Sequence, residues 1–223
     1  MQVSIIIACH SYGRYLEQAI KSALRQSIPC EVIVLDNASK DKTSRVIEKF
    51  DNIVKSRVEE RVHWCRALNM MIEKSTGEYI VILGADDKLA KTFAEESLAL
   101  MNDEVGIVKT GLKYFGDDDS EHFLEYDPYE NLYWNTIYIT SMFKKKIWEE
   151  VGGFDEDLPV YEDWDFWIRA IKTGTKVADL RKPLFFYRSH PEQAIKTTML
   201  LNHAEATRKM NEKYKGWRDP IPC

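Results

Sequence analysis

VSIIIACHSYGRYLEQAIKSALRQSIPCEVIVLD, residues 3–36, contains a strand, a helix and a second strand in direct succession. Residues 3–8 are β-branched and almost wholly apolar, the pattern of a strand covered on both faces. After the polar break CHSYG, Leu16, Ala19, Ile20, Ala23 and Leu24 recur at helical spacing, with Ser11 as a candidate cap and Pro29 beyond the end. EVIVLD, residues 31–36, is again apolar throughout its centre. Two strands that both lack a wet face, joined by a helix, are neighbours in a parallel sheet.

The alternation runs on from this unit. NASKDKT forms a loop rich in capping residues and SRVIEKF a short helix. The periodicity then predicts a helix over 64–75, a strand over 79–83, a helix over 92–101 and a strand over 105–109. Such repetition implies an α/β fold, a mainly parallel sheet with right-handed crossovers and helices on its faces. Ligands of these sheets sit at the carboxyl ends of the strands. Residues 8–11, 36–39 and 84–87 all follow strands at that edge, so three loops are expected to meet over one ligand.

The second half is less regular. FGDDDSEHF, residues 115–123, has the composition of a solvated turn. TIYITSMF (136–143) predicts a strand, KKKIWEEV a helix, and GGFDEDLP a loop with glycines at the helix end. In YEDWDFWIRAIKTG, Trp164, Trp167, Ile168 and Ile171 form an apolar helical face that stops at Gly174. FFYRSHPEQ, residues 185–193, predicts a strand followed by a polar loop.

With 223 residues and 44% hydrophobic content, the chain can bury one sizeable core, and a single domain over 1–223 is expected. Its halves divide near residue 110. WRDPIPC, at the end of the sequence, shows no helix or strand signal, which leaves room for one domain of a longer polypeptide. The net charge of -5 provides no broad basic field for nucleic acid or an anionic membrane. No apolar run has the length of a membrane span, and MQVSIIIACH lacks the basic start of a signal peptide. Cys9, Cys30, Cys65 and Cys223 are irregularly spaced, as free thiols in a reducing cytoplasm would be.

Two clusters of acids could carry chemistry. Asp86 and Asp87 end the apolar run YIVILG, where adjacent like charges are costly unless a cation sits near them. A hard divalent ion such as Mg²⁺ or Mn²⁺ suits that pair, as does capping of the helix that follows. Glu162, Asp163 and Asp165 crowd the first turn of another helix, where they could cap it or accept a proton from a hydroxyl. Tyr126, Tyr129, Tyr133 and Trp134 could stack on a sugar ring or belong to core and surface.

VSIIIACHSYGRYLEQAIKSALRQSI, EVIVLDNASKDKTSRVI, ALNMMIEKSTGEYIVILGADD and GGFDEDLPVYEDWDFWIRA resemble, in order and spacing, the family 2 glycosyltransferases. That resemblance covers roughly residues 3–190 and implies a GT-A fold: a Rossmann-like sheet, a nucleotide-binding half over about 1–110, and a smaller antiparallel acceptor side. It implies that Ala8 and His10 border the nucleotide base, that Asp36 and Asn37 contact base and ribose, and that Arg66 meets the diphosphate or base. Asn37 stands where an acid is commoner. GADD resembles the metal-binding DxD signature with Gly84 in place of its leading acid, leaving Asp86 and Asp87 to share ribose contact and coordination of Mn²⁺ or Mg²⁺. EDWD resembles the acidic motif whose aspartate deprotonates the acceptor, which falls on Asp163 with Glu162 beside it. In the YR.H segment, Arg188 would close over the diphosphate and His190 would join the metal.

The implied activity is transfer of a sugar from a nucleoside diphosphate donor, by family habit UDP and with inversion, to a hydroxyl of a glycan or glycoconjugate. The alternative is a domain that binds nucleotide sugar without turnover. A nucleotidyltransferase or a dinucleotide-dependent oxidoreductase would need a Gly-rich loop after the first strand, and ACHSYGRY holds one glycine.

Overall fold

Every residue of β1 (Val3–Cys9) is buried, and that strand lies inside the sheet, parallel to β2 (Cys30–Asn37) on one side and β4 (Tyr79–Ile82) on the other. The computed structural model describes residues 2–191 and 194–216. Cys223, the rest of WRDPIPC, and Glu192 and Gln193 of the 185–193 segment lie outside the described residues. The other elements, in chain order, are α1 (Gly13–Leu24), α2 (Thr43–Ile47), β3 (Val54–Val58), α3 (Trp64–Lys74), β5 (Lys88–Leu89), α4 (Phe93–Leu98), β6 (Val105–Gly116), β7 (Glu121–His122), β8 (Met142–Lys144), α5 (Lys145–Val151), α6 (Glu162–Lys172), β9 (Lys176–Ser189) and α7 (Ala194–Lys213), with a 3₁₀ turn at Glu130–Leu132 between β7 and β8.

Among the described residues the strands form one sheet in the order β3-β2-β1-β4-β8-β6-β9-β5, with β7 paired to β6. The first four strands run parallel, whereas β8 is antiparallel to both β4 and β6, and β5 is antiparallel to β9. The expected parallel sheet with an antiparallel side is therefore the one observed.

The two-faced burial of β1 follows from strand alternation. Ile5 and Ile7 face a cluster with Leu16 and Ile20 of α1, while Ile6 and Ala8 face Leu68 of α3 and Phe166 and Trp167 of α6. Each such aliphatic side chain contributes about 1.5–3 kcal/mol through burial.

Several local expectations change. Ser11 does not cap α1. Its backbone is left-handed, and the first helical amide, that of Gly13, donates instead to the Asp41 carboxylate at 2.9 Å. A Cβ on Gly13 would stand 2.6 Å from the Thr43 amide nitrogen, so the close approach of α1 and α2 needs glycine there. Residues 136–141 are not strand. Asn131 and Asn135 capture the amides of Thr136 and Ile137 at 3.1 and 3.3 Å, removing donors that a ladder would use. Conversely, β6 continues to Gly116 because β9 supplies a long parallel partner, with Phe115 opposite Arg188. The 115–123 stretch is the exposed turn expected, from the end of β6 into β7.

Candidate active site

The parallel order of β2, β1 and β4 brings three loops to one sheet edge, and hydrogen bonds join the first two directly. The Ser11 amide donates to Ser39 Oγ at 2.9 Å, and His10 Nδ1 lies 2.7 Å from the Asn37 carbonyl. A carbonyl only accepts, so Nδ1 carries a proton, and in a neutral ring that tautomer leaves Nε2 as an acceptor. Ser11 and Ala38 both hold positive φ, at 60° and 53°. Strain of this kind persists where the surroundings over-determine a loop.

Asp36 and Asn37 are buried at 2% and 4% exposure and already engaged within the protein. Asp36 accepts the Ser39 amide at 2.8 Å and Arg57 Nη1 at 2.8 Å, and a third bond comes from the Ser44 hydroxyl. The Asn37 carboxamide pairs with both backbone groups of Val62, accepting its N–H and donating to its C=O, each at 2.9 Å. Ala8 is buried within β1, and its side chain packs in the core. Arg66 is exposed and reaches Glu156 at 3.5 Å. Ala8 is the next-to-last residue of β1, and Arg66 stands in the first turn of α3, across from Glu156.

The third loop is clasped by residues from the end of β9. His190 Nε2 lies 3.1 Å from Asp86 Oδ2, the Arg188 amide donates to Asp87 Oδ1 at 2.8 Å, and Arg188 Nε donates to the Asp86 carbonyl at 2.7 Å. The Arg188 guanidinium lies 4.5 Å from the Tyr15 ring centroid and 4.3 Å from that of Phe115, and it also donates to Gln18. His190 in turn packs against Tyr15 and Tyr12, with centroids 5.0 and 5.9 Å apart, which ties the loop after β1 to the loop after β4.

Burial, with the Asp86 charge second, pushes the Asp87 carboxyl well above the usual carboxylate range. Capping of the next helix does not explain the pair. Strand β5 intervenes, and α4 begins after Thr92 with no side-chain cap. Gly84 leaves the room that the pair occupies, since a Cβ there would sit 2.5 Å from Asp87 Oδ2 and 3.1 Å from Asp86 Oδ1.

The second acidic cluster divides by environment. Tyr161, at φ 69°, turns the chain into α6. Asp163 then accepts the Trp164 amide and Asn135 Nδ2, both at 2.8 Å. Part of the capping reading thus holds, although Asn135 comes from outside the helix. Burial pushes Asp163 up to about 6, opposed by those two donors. Burial first and the Asp163 charge second push Glu162 up to about 8, against a bond from Trp64. Both carboxyls therefore hold a proton more readily than free ones do, and their mutual repulsion favours one shared proton on the pair. Asp165 has a different role. It is fully buried against Arg169 and Lys213 at 2.7 Å each, with a further bond from the Tyr214 hydroxyl.

Two contributors went unanticipated. Asn135 carries no motif, and Tyr15 stands out only as one aromatic in a helix. Asn131 and Thr136 hold the segment before β8 in place, and NLYWNT, residues 131–136, has neither Pro nor Gly to signal a turn there.

Residues 4–155 match the profile of the family described as Glycosyl transferase family 2. The putative teichuronic acid biosynthesis glycosyltransferase TuaG of Bacillus subtilis is 24% identical over 234 residues, covering 96% of this chain and 85% of its own. Staphylococcus aureus TarS 1-349, crystallised with UDP-GlcNAc, superposes with a TM-score of 0.78 at 18% identity, over 88% of this chain and 61% of TarS 1-349. The mannosyltransferase PcManGT from Pyrobaculum calidifontis, in complex with GDP-Man and Mn²⁺, gives 0.73 at 21% identity, over 99% and 66%. The chain thus spans less than two thirds of the length of these two solved structures, whose fold it shares.

Proposed function

Because the chain belongs to glycosyl transferase family 2, we propose that it moves a sugar from a nucleoside diphosphate donor, a UDP-sugar, to a hydroxyl of a glycan or glycoconjugate, with inversion at the anomeric carbon. The observation that carries this reading is the clasp of Asp86 and Asp87 by Arg188 and His190, about a hundred residues later in the chain, at the edge where the three loops meet.

Asp163 would take the proton from the acceptor hydroxyl while that oxygen bonds to the anomeric carbon and the bond from that carbon to the diphosphate oxygen breaks. Asn135 would orient the base by donating to it, and a proton held on Glu162 would leave Asp163 the anionic member of the pair. Arg188 would offer its charge to the departing diphosphate. His10 Nε2, an acceptor in the neutral ring, would meet an N–H of the base, with Asp36 and Asn37 shaping the loop behind it.

Asp87, Asp86 and His190 would hold Mn²⁺ or Mg²⁺. The fit rests on two adjacent carboxyl groups that are costly to ionise together and on an imidazole already within reach of one. Among the described residues no three such side chains converge in ready ligand geometry. Mn²⁺ and Mg²⁺ bound with a nucleotide take one or two carboxylates and complete their shell with the phosphates of the ligand. A cation so placed supplies Lewis-acid stabilisation of the leaving diphosphate.

The departures at Gly84 and Asn37 do not speak for a domain that only binds. Gly84 makes room for Asp87, and Asn37 clamps Val62. Among the described residues no helix is long and apolar enough to cross a membrane. The free thiols of Cys9, Cys30 and Cys65 fit a reducing compartment such as the cytoplasm.

Calorimetry of UDP with and without Mn²⁺, on the wild type and an Asp86→Ala, Asp87→Ala double variant, tests the reading. Metal-dependent binding that the variant loses supports it. Equal binding by the variant, or no nucleotide binding at all, overturns it.

A further inference from the structure

The segment between β7 and β8 carries four exposed aromatic side chains, Phe123, Tyr129, Tyr133 and Trp134, of which Trp134, at 74%, is the most exposed. Tyr126, four residues before the 3₁₀ turn, instead packs against the core. Large aromatic rings held in water are unfavourable for folding, and a cluster of them marks a contact surface. This one is built rather than loose. The Asp127 carboxylate accepts the amides of Tyr129 and Glu130 at 2.8 and 2.9 Å. Fully buried Asn131 accepts Trp164 Nε1 on its carbonyl and the Thr136 hydroxyl on its side chain, at 2.6 and 2.8 Å. The Asp127 bonds close a turn within the segment, and Asn131 ties that turn to α6 through Trp164.

Its location decides the kind of partner. Trp134 immediately precedes Asn135, whose amide is bonded to the Asp163 carboxylate at 2.8 Å. That bond places the chain at Trp134 one residue from direct contact with the group that would take the acceptor's proton. The surrounding charge is acidic, from Glu125, Asp127 and Glu130 in the same segment. Anionic lipid or nucleic acid would be repelled there. A sugar ring suits the surface, because the axial C–H face of a pyranose is apolar and weakly positive while aromatic faces carry the negative end of the ring quadrupole.

We propose that Trp134 is the acceptor platform: the apolar face of a neutral pyranose at the end of a glycan stacks on the indole and presents a hydroxyl to Asp163. This rests on the glycosyltransferase reading above and deepens it by naming the acceptor class and the residue that selects it.

The test uses the full chain, fluorescently labelled, on a printed array of neutral hexose and N-acetylhexosamine oligosaccharides, and separately on vesicles of phosphatidylcholine with phosphatidylglycerol. Wild type is expected to be retained on at least one oligosaccharide and not on vesicles. Trp134→Ala should weaken retention at least tenfold and Trp134→Phe by less, with thermal midpoints shifted by no more than about 2 °C for this exposed position. Equal retention of wild type and Trp134→Ala, no oligosaccharide retained by wild type, or Trp134-dependent retention on vesicles would each overturn the platform. Metal-dependent hydrolysis of UDP-GlcNAc and UDP-glucose by the wild type, which involves no acceptor, is read in parallel. Failure of the platform is thereby separated from failure of the proposed activity.

Discussion

Replacing Gly84 by alanine adds one methyl group at the centre of the clasp. Its Cβ would stand 2.5 Å from Asp87 Oδ2, about 1 Å inside ordinary van der Waals contact. Asp87 is only 5% exposed and its other oxygen holds the Arg188 amide at 2.8 Å, so the carboxylate can yield only by giving up that bond. Leaving a buried donor without its acceptor costs about 1–3 kcal/mol. For a chain of this size that lowers the thermal midpoint by about 2–12 °C. If the same displacement is felt at the diphosphate, UDP binding in Mn²⁺ weakens about 5- to 150-fold. Gly84→Asp should be worse, because it adds a third carboxylate to the same crowding while recreating the commoner DxD spelling. Differential scanning fluorimetry and calorimetry read both quantities. An alanine variant that melts and binds like wild type, or an aspartate variant that binds more tightly, would refute the steric account of this position.

The two carboxyls that begin α6 should separate in a pH profile. Donor turnover should rise as pH passes about 6, where Asp163 ionises, and Asp163→Asn should lower it by about 10²–10⁴-fold; a flat acid limb would count against Asp163. Between its ordinary 4.5 and about 8, Glu162 keeps in the folded chain a proton that the unfolded chain releases, so its contribution to stability is lost as pH rises through that window. Glu162→Gln should flatten the fall in thermal midpoint from pH 5 to pH 8.5, and an unchanged slope would show that the burial is not felt. Asn135→Ala removes a donor that favours the ionised base and should move the acid limb upward, whereas loss of turnover with an unmoved limb would mean that Asn135 only holds the loop. Asp165→Ala strips the partner from Lys213 and Arg169 and should cost about 3–5 kcal/mol in chemical denaturation, and a loss of turnover without loss of stability would contradict its structural role.

Much of this protein could be read from spacing alone, because the strands of the parallel half are short, doubly buried and separated by amphipathic helices. Residues 3–8, 31–36 and 79–83 each predicted a strand in place, and the crossover rule then brought their following loops to one edge. Motif order pointed to the acids at 86–87 and 162–163 for the same local reason: their neighbours in sequence are their neighbours in space. What lay beyond local pattern was pairing across long separations. VKSRV became β3 although mostly exposed, since an edge strand needs only a partner's free ladder. The 14-residue β9 took its length from β6, and the polar α7 has no clear apolar stripe to announce it.

The tertiary structure alone decided which charges do what. Asp163 and Asp165 are two residues apart in one helix turn, yet one meets an amide from a distant loop and the other is sealed beneath α7 by Lys213 and Tyr214. Gly84 looks like a defect in a motif until the Asp87 carboxylate is found in the space a side chain would fill. A sequence displays residue types and their spacing. Burial and the identity of the facing group, which set protonation and cost, exist only once the chain has closed on itself.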